Sequence, residues 1–226
     1  MKNNLTEILS RIAEAKDKYR SPEDTVRLMA VTKTVDPDKV NFAVGEGITL
    51  LGENRVQEYL SKKDSYDSSA EVHFIGHLQT NKVKYIIDSV SMIQSVDSLK
   101  LACEIDRLAA KHGRVMDILI EINIGDEETK SGIDSGAMKE LALEIQKLNN
   151  IRLRGLMAIP PIGADESVFE AMHGLYEELR GMQLPGAQID TLSMGMSGDY
   201  ELAIKHGSNL VRIGTKLFGA RKYFGG

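Results

Sequence analysis

Lys33 closes the run RLMAVTK, and an apolar environment at a strand end disfavours its ammonium form. A neutral amine can bond a carbonyl carbon as a Schiff base. A lone lysine at a strand end more often snorkels to solvent, so Lys33 carries chemistry only together with other groups. The last two apolar runs supply them. SMGMSGDYELAIKHG passes through a Gly/Ser loop into a helix, and it offers backbone N–H groups and the Ser193 and Ser197 hydroxyls to an anion. In VRIGTKLFG, Gly214 lets a ligand approach the backbone, Thr215 adds a hydroxyl, and another helix start follows. Gly, Ser and Thr also cap helices without binding anything, but two such loops together point to a phosphate.

Other polar residues sit at the ends of apolar runs. Arg212 lies two residues before Gly214 and so projects to the same face; it can meet a ring nitrogen or pair with a carboxylate such as Glu121. His77 can stack on a ligand or be satisfied by a carbonyl, and Asn54 can face a ligand or cap the helix beside it. Lys130, in TKSG, is a second amine and reads most simply as a solvated loop lysine. Cys103 lies in a helical pattern and reads as a small buried thiol.

These groups must be positioned by the elements around them. Eight short apolar, β-branched runs (27–33, 49–54, 72–77, 91–96, 117–123, 152–158, 190–195 and 209–214) read as strands. Amphipathic segments such as DPDKVNFAVGEG, LKLACEIDRLAAKHG and ESVFEAMHGLYEELRGM are long enough to connect parallel strands. The alternation predicts an α/β protein, a single-domain (β/α)8 TIM barrel over 1–226, in which polar strand ends gather at one mouth. Residues 1–20 add an N-terminal helix, with Leu5, Ile8, Leu9, Ile12 and Ala15 at helical spacing.

The bulk numbers suit this reading. A chain of 226 residues, 42% hydrophobic and 27% charged, can bury a full core. A net charge of -5 with no basic run argues against nucleic acid or an anionic membrane as partner. With no apolar signal core at the N-terminus and no apolar stretch of membrane-spanning length, a cytoplasmic protein is expected. The lack of a heptad repeat suggests a monomer.

The motifs AVTK, GENRVQE, HFIGHLQTNK, KSG, LRGLMAI, LSMGMSGDYELAI and VRIGTKLFG, in this order along nearly the whole chain, resemble the pyridoxal phosphate homeostasis (proline synthase co-transcribed) family. That family is related in fold to the N-terminal barrel of alanine racemase. The resemblance implies pyridoxal 5′-phosphate (PLP) held as an aldimine on Lys33, phosphate contacts at Ser197, Gly214 and Thr215, Arg212 facing the pyridine nitrogen, and Asn54, His77 and Met194 lining the cofactor. No metal site and no dedicated catalytic residue is assigned. A ring nitrogen facing arginine stays unprotonated and makes a weak electron sink. The chain also ends soon after strand eight, leaving no sequence for the second domain that supplies a base in related racemases. The expected function is therefore PLP storage and delivery in vitamin B6 and amino-acid/keto-acid balance, with apo PLP enzymes as recipients. A compact PLP-dependent racemase is the alternative, and a barrel isomerase or aldolase using Lys33 on a sugar phosphate is a third reading.

Overall fold

A computed structural model describes residues 1–125 and 131–219, and in it every apolar run forms a strand. The strands β1 (Arg27–Val31), β2 (Leu50–Glu53), β3 (Glu71–Phe74), β4 (Met92–Val96), β5 (Met116–Ile122), β6 (Ile151–Ala158), β7 (Thr191–Ser193) and β8 (Leu210–Ile213) pair in parallel, in chain order. β1 pairs with β8, Ala30 opposite Ile213, which closes the ring. The (β/α)8 barrel read from the sequence is the observed fold. β1 stops before Lys33 and β7 before Gly195, because positive φ angles at Thr34 (61°) and Gly195 (95°) turn the chain out of the extended region.

Helix α1 (Lys2–Tyr19) precedes the ring, and α2 (Pro37–Gly45), α3 (Val56–Lys62), α4 (Leu99–Lys111), α5 (Met138–Ile145), α6 (Glu166–Gly181) and α7 (Tyr200–Lys205) connect its strands. A 3₁₀ segment (Thr80–Tyr85) makes the β3–β4 connection, and α8 (Thr215–Phe218) follows β8. Local sequence sets the helix starts. Asp36 accepts from the Asp38 amide at 3.0 Å with Pro37 in the first turn, and Asp165 accepts from the Ser167 amide at 2.9 Å.

Strand alternation divides the apolar residues between two layers. Met29, Val31, Leu50, Ile75 and Leu210 form one cluster inside the barrel, and Met92, Leu119 and Met157 another. Ala30, Leu51, Phe74, Ile93 and Val211 face outward into the main core with the helices. Gly52 belongs to the inner layer, where a Cβ would come 2.6 Å from Met29 Sδ. At the end where the strands begin, Arg27 pairs with Glu71 at 2.5 Å, and Arg154 bridges Asp117 (2.5 Å) and Asp190 (2.6 Å).

Two sequence expectations need correction. Leu9 is 46% exposed: it follows Ile8 by one residue and so is turned about 100° off the buried stripe of Leu5, Ile8, Ile12 and Ala15. Cys103 is exposed as well, because Leu101, Ala102, Ile105, Leu108 and Ala109 occupy the buried face of α4. Among the described residues, no helix is long and apolar enough to cross a membrane.

Candidate functional site

Met29 and Val31 point into the barrel, so the parity of β1 carries Lys33 toward the mouth, in the turn just beyond the strand. That turn is strongly held. Lys62 of α3 donates to the carbonyls of Thr32 (3.0 Å) and Val35 (3.4 Å) and to Glu58 Oε1 (2.7 Å). Glu58 in turn accepts from the Thr34 amide at 2.5 Å, steadying a left-handed conformation that costs a non-glycine residue about 1–3 kcal/mol. Beneath it, buried Glu53 accepts from the Thr32 hydroxyl at 2.7 Å and from the Tyr66 hydroxyl. Lys33 thus rides on a turn fixed on both sides.

The neighbouring strands bring the other groups to the same rim. Val31 is in register with Gly52, and Asn54 follows two residues later with its Oδ1 buried and without a hydrogen-bond partner among the described residues. Gly76 packs on Asn54 so closely that a Cβ would lie 2.1 Å from the Asn54 carbonyl oxygen. On the other side of β1 is β8, whose Arg212 is buried and donates through Nη1 to Ser193 Oγ (2.6 Å) and through Nη2 to the Ala158 carbonyl (2.7 Å). Burial pushes Arg212 down to about 10, with Glu121 and Asp199 pulling the other way, so the guanidinium remains a cation at neutral pH. Glu121, buried near the end of β5, accepts from Ser131 Oγ at 2.7 Å, and its Oε2 has no partner among the described residues. Burial pushes its carboxyl above the ordinary range, and Asp97 adds to this.

Two loops meet beside Arg212. The Lys216 amide donates to Ser197 Oγ at 3.4 Å, joining the β7–α7 loop to the start of α8. Neither the Ser197 nor the Gly198 amide donates to a described residue, and Thr215 begins α8, where amides lack partners within the helix. A Cβ on Gly214 would come 3.3 Å from Val31 Cβ and 3.4 Å from the Val31 carbonyl, so glycine keeps this approach open. A buried cation, orphaned buried oxygens and a rim of amides form a site for a polar, anionic ligand.

Residues 4–222 match the model of the alanine racemase N-terminal domain. A pyridoxal phosphate homeostasis protein of Pasteurella multocida is 42% identical over 99% of this chain and 98% of its own length. One from Aquifex aeolicus is 43% identical over 97% of each. This chain belongs to the pyridoxal phosphate homeostasis protein family. Among solved structures, Synechococcus elongatus PipY with PLP bound superposes with a TM-score of 0.80 at 31% identity, covering 93% of this chain and 99% of PipY.

Against this family background, the barrel brings Lys33, Asn54, Ser197, Arg212, Gly214 and Thr215 to one rim. Two other expected residues follow β3 and β7. His77 is exposed on the rim, with its ring Nδ1 3.4 Å from Asp97 Oδ2 and near enough to Glu121 to act on its carboxyl. The Met194 side chain is buried in the outer core, because Ser193 takes the inward position and its neighbour must face the helices. Lys130 lies outside the described residues. Among the described residues, no group of three or more His, Cys, Asp or Glu side chains is arranged to hold a metal. The sequence reading missed the polar residues inside the barrel, His73 and Gln94, although both stand in runs otherwise apolar.

Proposed function

We propose that this chain binds PLP at the barrel mouth and acts as a carrier and buffer of the cofactor in intracellular vitamin B6 homeostasis. The relatives' names and the PLP-bound PipY structure support this reading. In it, Lys33 supplies the amine that bonds the cofactor's aldehyde carbon. Ser197, Gly214 and Thr215 hold the phosphate, and Asn54 and His77 contact the ring from the rim. Met194 contributes only its main chain. When bound, the cofactor supplies an electron-withdrawing ring conjugated to an amine.

Arg212 carries the proposal. Among the described residues, two of its five N–H groups are committed, to Ser193 and Ala158, which leaves donors for a ring nitrogen. A ring nitrogen facing a fixed cation stays unprotonated and draws electrons weakly, which suits a site that holds the cofactor and later passes it on. Titrating the apo protein with PLP should produce a lysine-linked absorption band, lost in Lys33→Ala. Absence of the band in the wild type, or its persistence in the variant, would sink the reading. Mixing the loaded protein with an apo PLP enzyme should activate that enzyme faster than free PLP does; equal rates would rule out direct delivery. The proposal includes a monomeric state, read by sedimentation, and a cytoplasmic location, read by fractionation.

The Glu121 carboxyl favours a second reading. A carboxyl at the mouth whose hold on a proton is strengthened by burial could move a proton on an amino-acid substrate, as a compact racemase requires. Sustained amino-acid turnover, lost in Glu121→Gln, would promote that reading over the carrier.

A further inference from the structure

The interior of a (β/α)8 barrel is normally filled by apolar side chains, yet a continuous polar chain runs through this one. Arg212 Nη1 donates to Ser193 Oγ (2.6 Å), and the Ser193 hydroxyl donates to Gln94 Oε1 (2.7 Å). The Gln94 amide nitrogen lies 2.8 Å from His73 Nδ1, and His73 Nε2 lies 2.8 Å from Glu71 Oε1. Glu71 pairs with Arg27 where the strands begin. His73, Gln94, Ser193 and Arg212 are all buried. The chain therefore links the closed end of the barrel to its mouth.

Its hydrogen-bond direction is fixed. The Glu71 carboxylate can only accept, so His73 Nε2 carries a proton. A neutral His73 then has a bare Nδ1, which accepts from the Gln94 NH₂; this turns Gln94 Oε1 toward the Ser193 hydroxyl and leaves a Ser193 lone pair for Arg212. A second proton on His73 would reverse the sequence. Nδ1–H would have to donate to Gln94 Oε1, the amide would flip, and its NH₂ would join Arg212 on the Ser193 oxygen, leaving the Ser193 proton without its acceptor. The charges facing His73 are Glu71 on its own strand, Arg27 on β1, Asp117 on β5, Arg154 on β6 and Asp190 just before β7.

We propose that His73, Gln94 and Ser193 are positioning residues that set the orientation of Arg212, so that the proton state of His73 at the closed end is felt at the mouth. The meaning of this coupling for the cofactor rests on the PLP reading above. Burial holds His73 below its ordinary value, consistent with the neutral form that the chain requires.

The test uses side-chain ¹⁵N NMR on the full-length apo protein, followed by PLP titration. The wild type at neutral pH should show a neutral His73 protonated on Nε2; a doubly protonated ring, or one protonated on Nδ1, would overturn the proposal. Gln94→Glu, similar in size but able only to accept, should draw a second proton onto His73, which a merely structural role would not do. Gln94→Leu should shift the Arg212 N–H signals and weaken PLP binding roughly tenfold, the usual scale of a hydrogen bond to a charged group. Unchanged Arg212 signals in Gln94→Leu would overturn the coupling, and if that variant does not fold, a His73 that gains no second proton in Gln94→Glu overturns the proposed link between Gln94 and His73. Failure of the wild type to bind PLP would defeat the cofactor reading separately, since the apo spectra report the relay without any ligand.

Discussion

Arg212 is the hinge of the site's polar accounting, since its removal leaves two buried acceptors, Ser193 Oγ and the Ala158 carbonyl, without their donor. Arg212→Met is expected to cost roughly 2–4 kcal/mol, read as a lower urea midpoint at constant m-value. A loss near zero would mean that these bonds are replaced by water. Glu121 makes a prediction in pH. Its folded-state value is raised, so its contribution to stability is fully present below its ordinary value of 4.5 and is lost as pH rises through the raised value. Glu121→Gln cannot ionise and escapes that loss. The stability of the variant relative to the wild type should therefore increase between pH 4.5 and 7.5 in paired urea titrations, and a constant difference would contradict the assignment. Lys33 and Arg212 were legible in the sequence because strand parity and a following glycine or turn mark the mouth of such a barrel. The roles of His73 and Gln94 were not legible, because a polar residue in an apolar run gives no sign of which neighbouring strand will satisfy it.

The β1–α2 turn and the β6 strand are the elements under greatest constraint. Removing the Glu58 carboxylate by Glu58→Ala would free the Thr34 amide and part of the Lys62 clamp. The expected result is a loss of about 1–2 kcal/mol and slower PLP loading, measured by thermal unfolding and absorbance; normal loading would show that the turn holds without the clamp. Gly155 of β6 has φ +143°, and a Cβ there would fall 1.9 Å from the Thr191 carbonyl oxygen, next to the register shift between β5 and β6. Gly155→Ala should cost about 3 kcal/mol or more, and a variant that melts like the wild type would refute the close approach. Strand number, order and helix placement followed from periodicity. Strand ends did not, because the turns that stop β1 and β7 depend on positive φ at Thr34 and Gly195, and a threonine gives no warning of that conformation. The outward turn of Met194 could have been read once Ser193 was placed inward.

At the scale of the whole molecule, α1 braces the elements that form the rim proposed to hold the phosphate. Asn4 donates to the Leu217 carbonyl at 3.3 Å, Arg11 pairs with Glu201 at 3.6 Å, and Leu5, Ile8 and Ile12 bury their side chains. Deleting residues 1–20 removes three large buried side chains, roughly 5 kcal/mol of apolar burial, comparable to the net stability of many domains. The truncated chain is expected to aggregate or to lose PLP binding; one that folds and binds normally would show the helix to be dispensable. The closure of the ring also bears on timing. Ala30 meets Ile213, so the strand before Lys33 gains its second neighbour only after nearly the entire polypeptide has left the ribosome. Lys33 and Arg212 come together in that final step. A nascent or fragmentary chain therefore lacks the neighbours that the proposed carrier role of Lys33 requires.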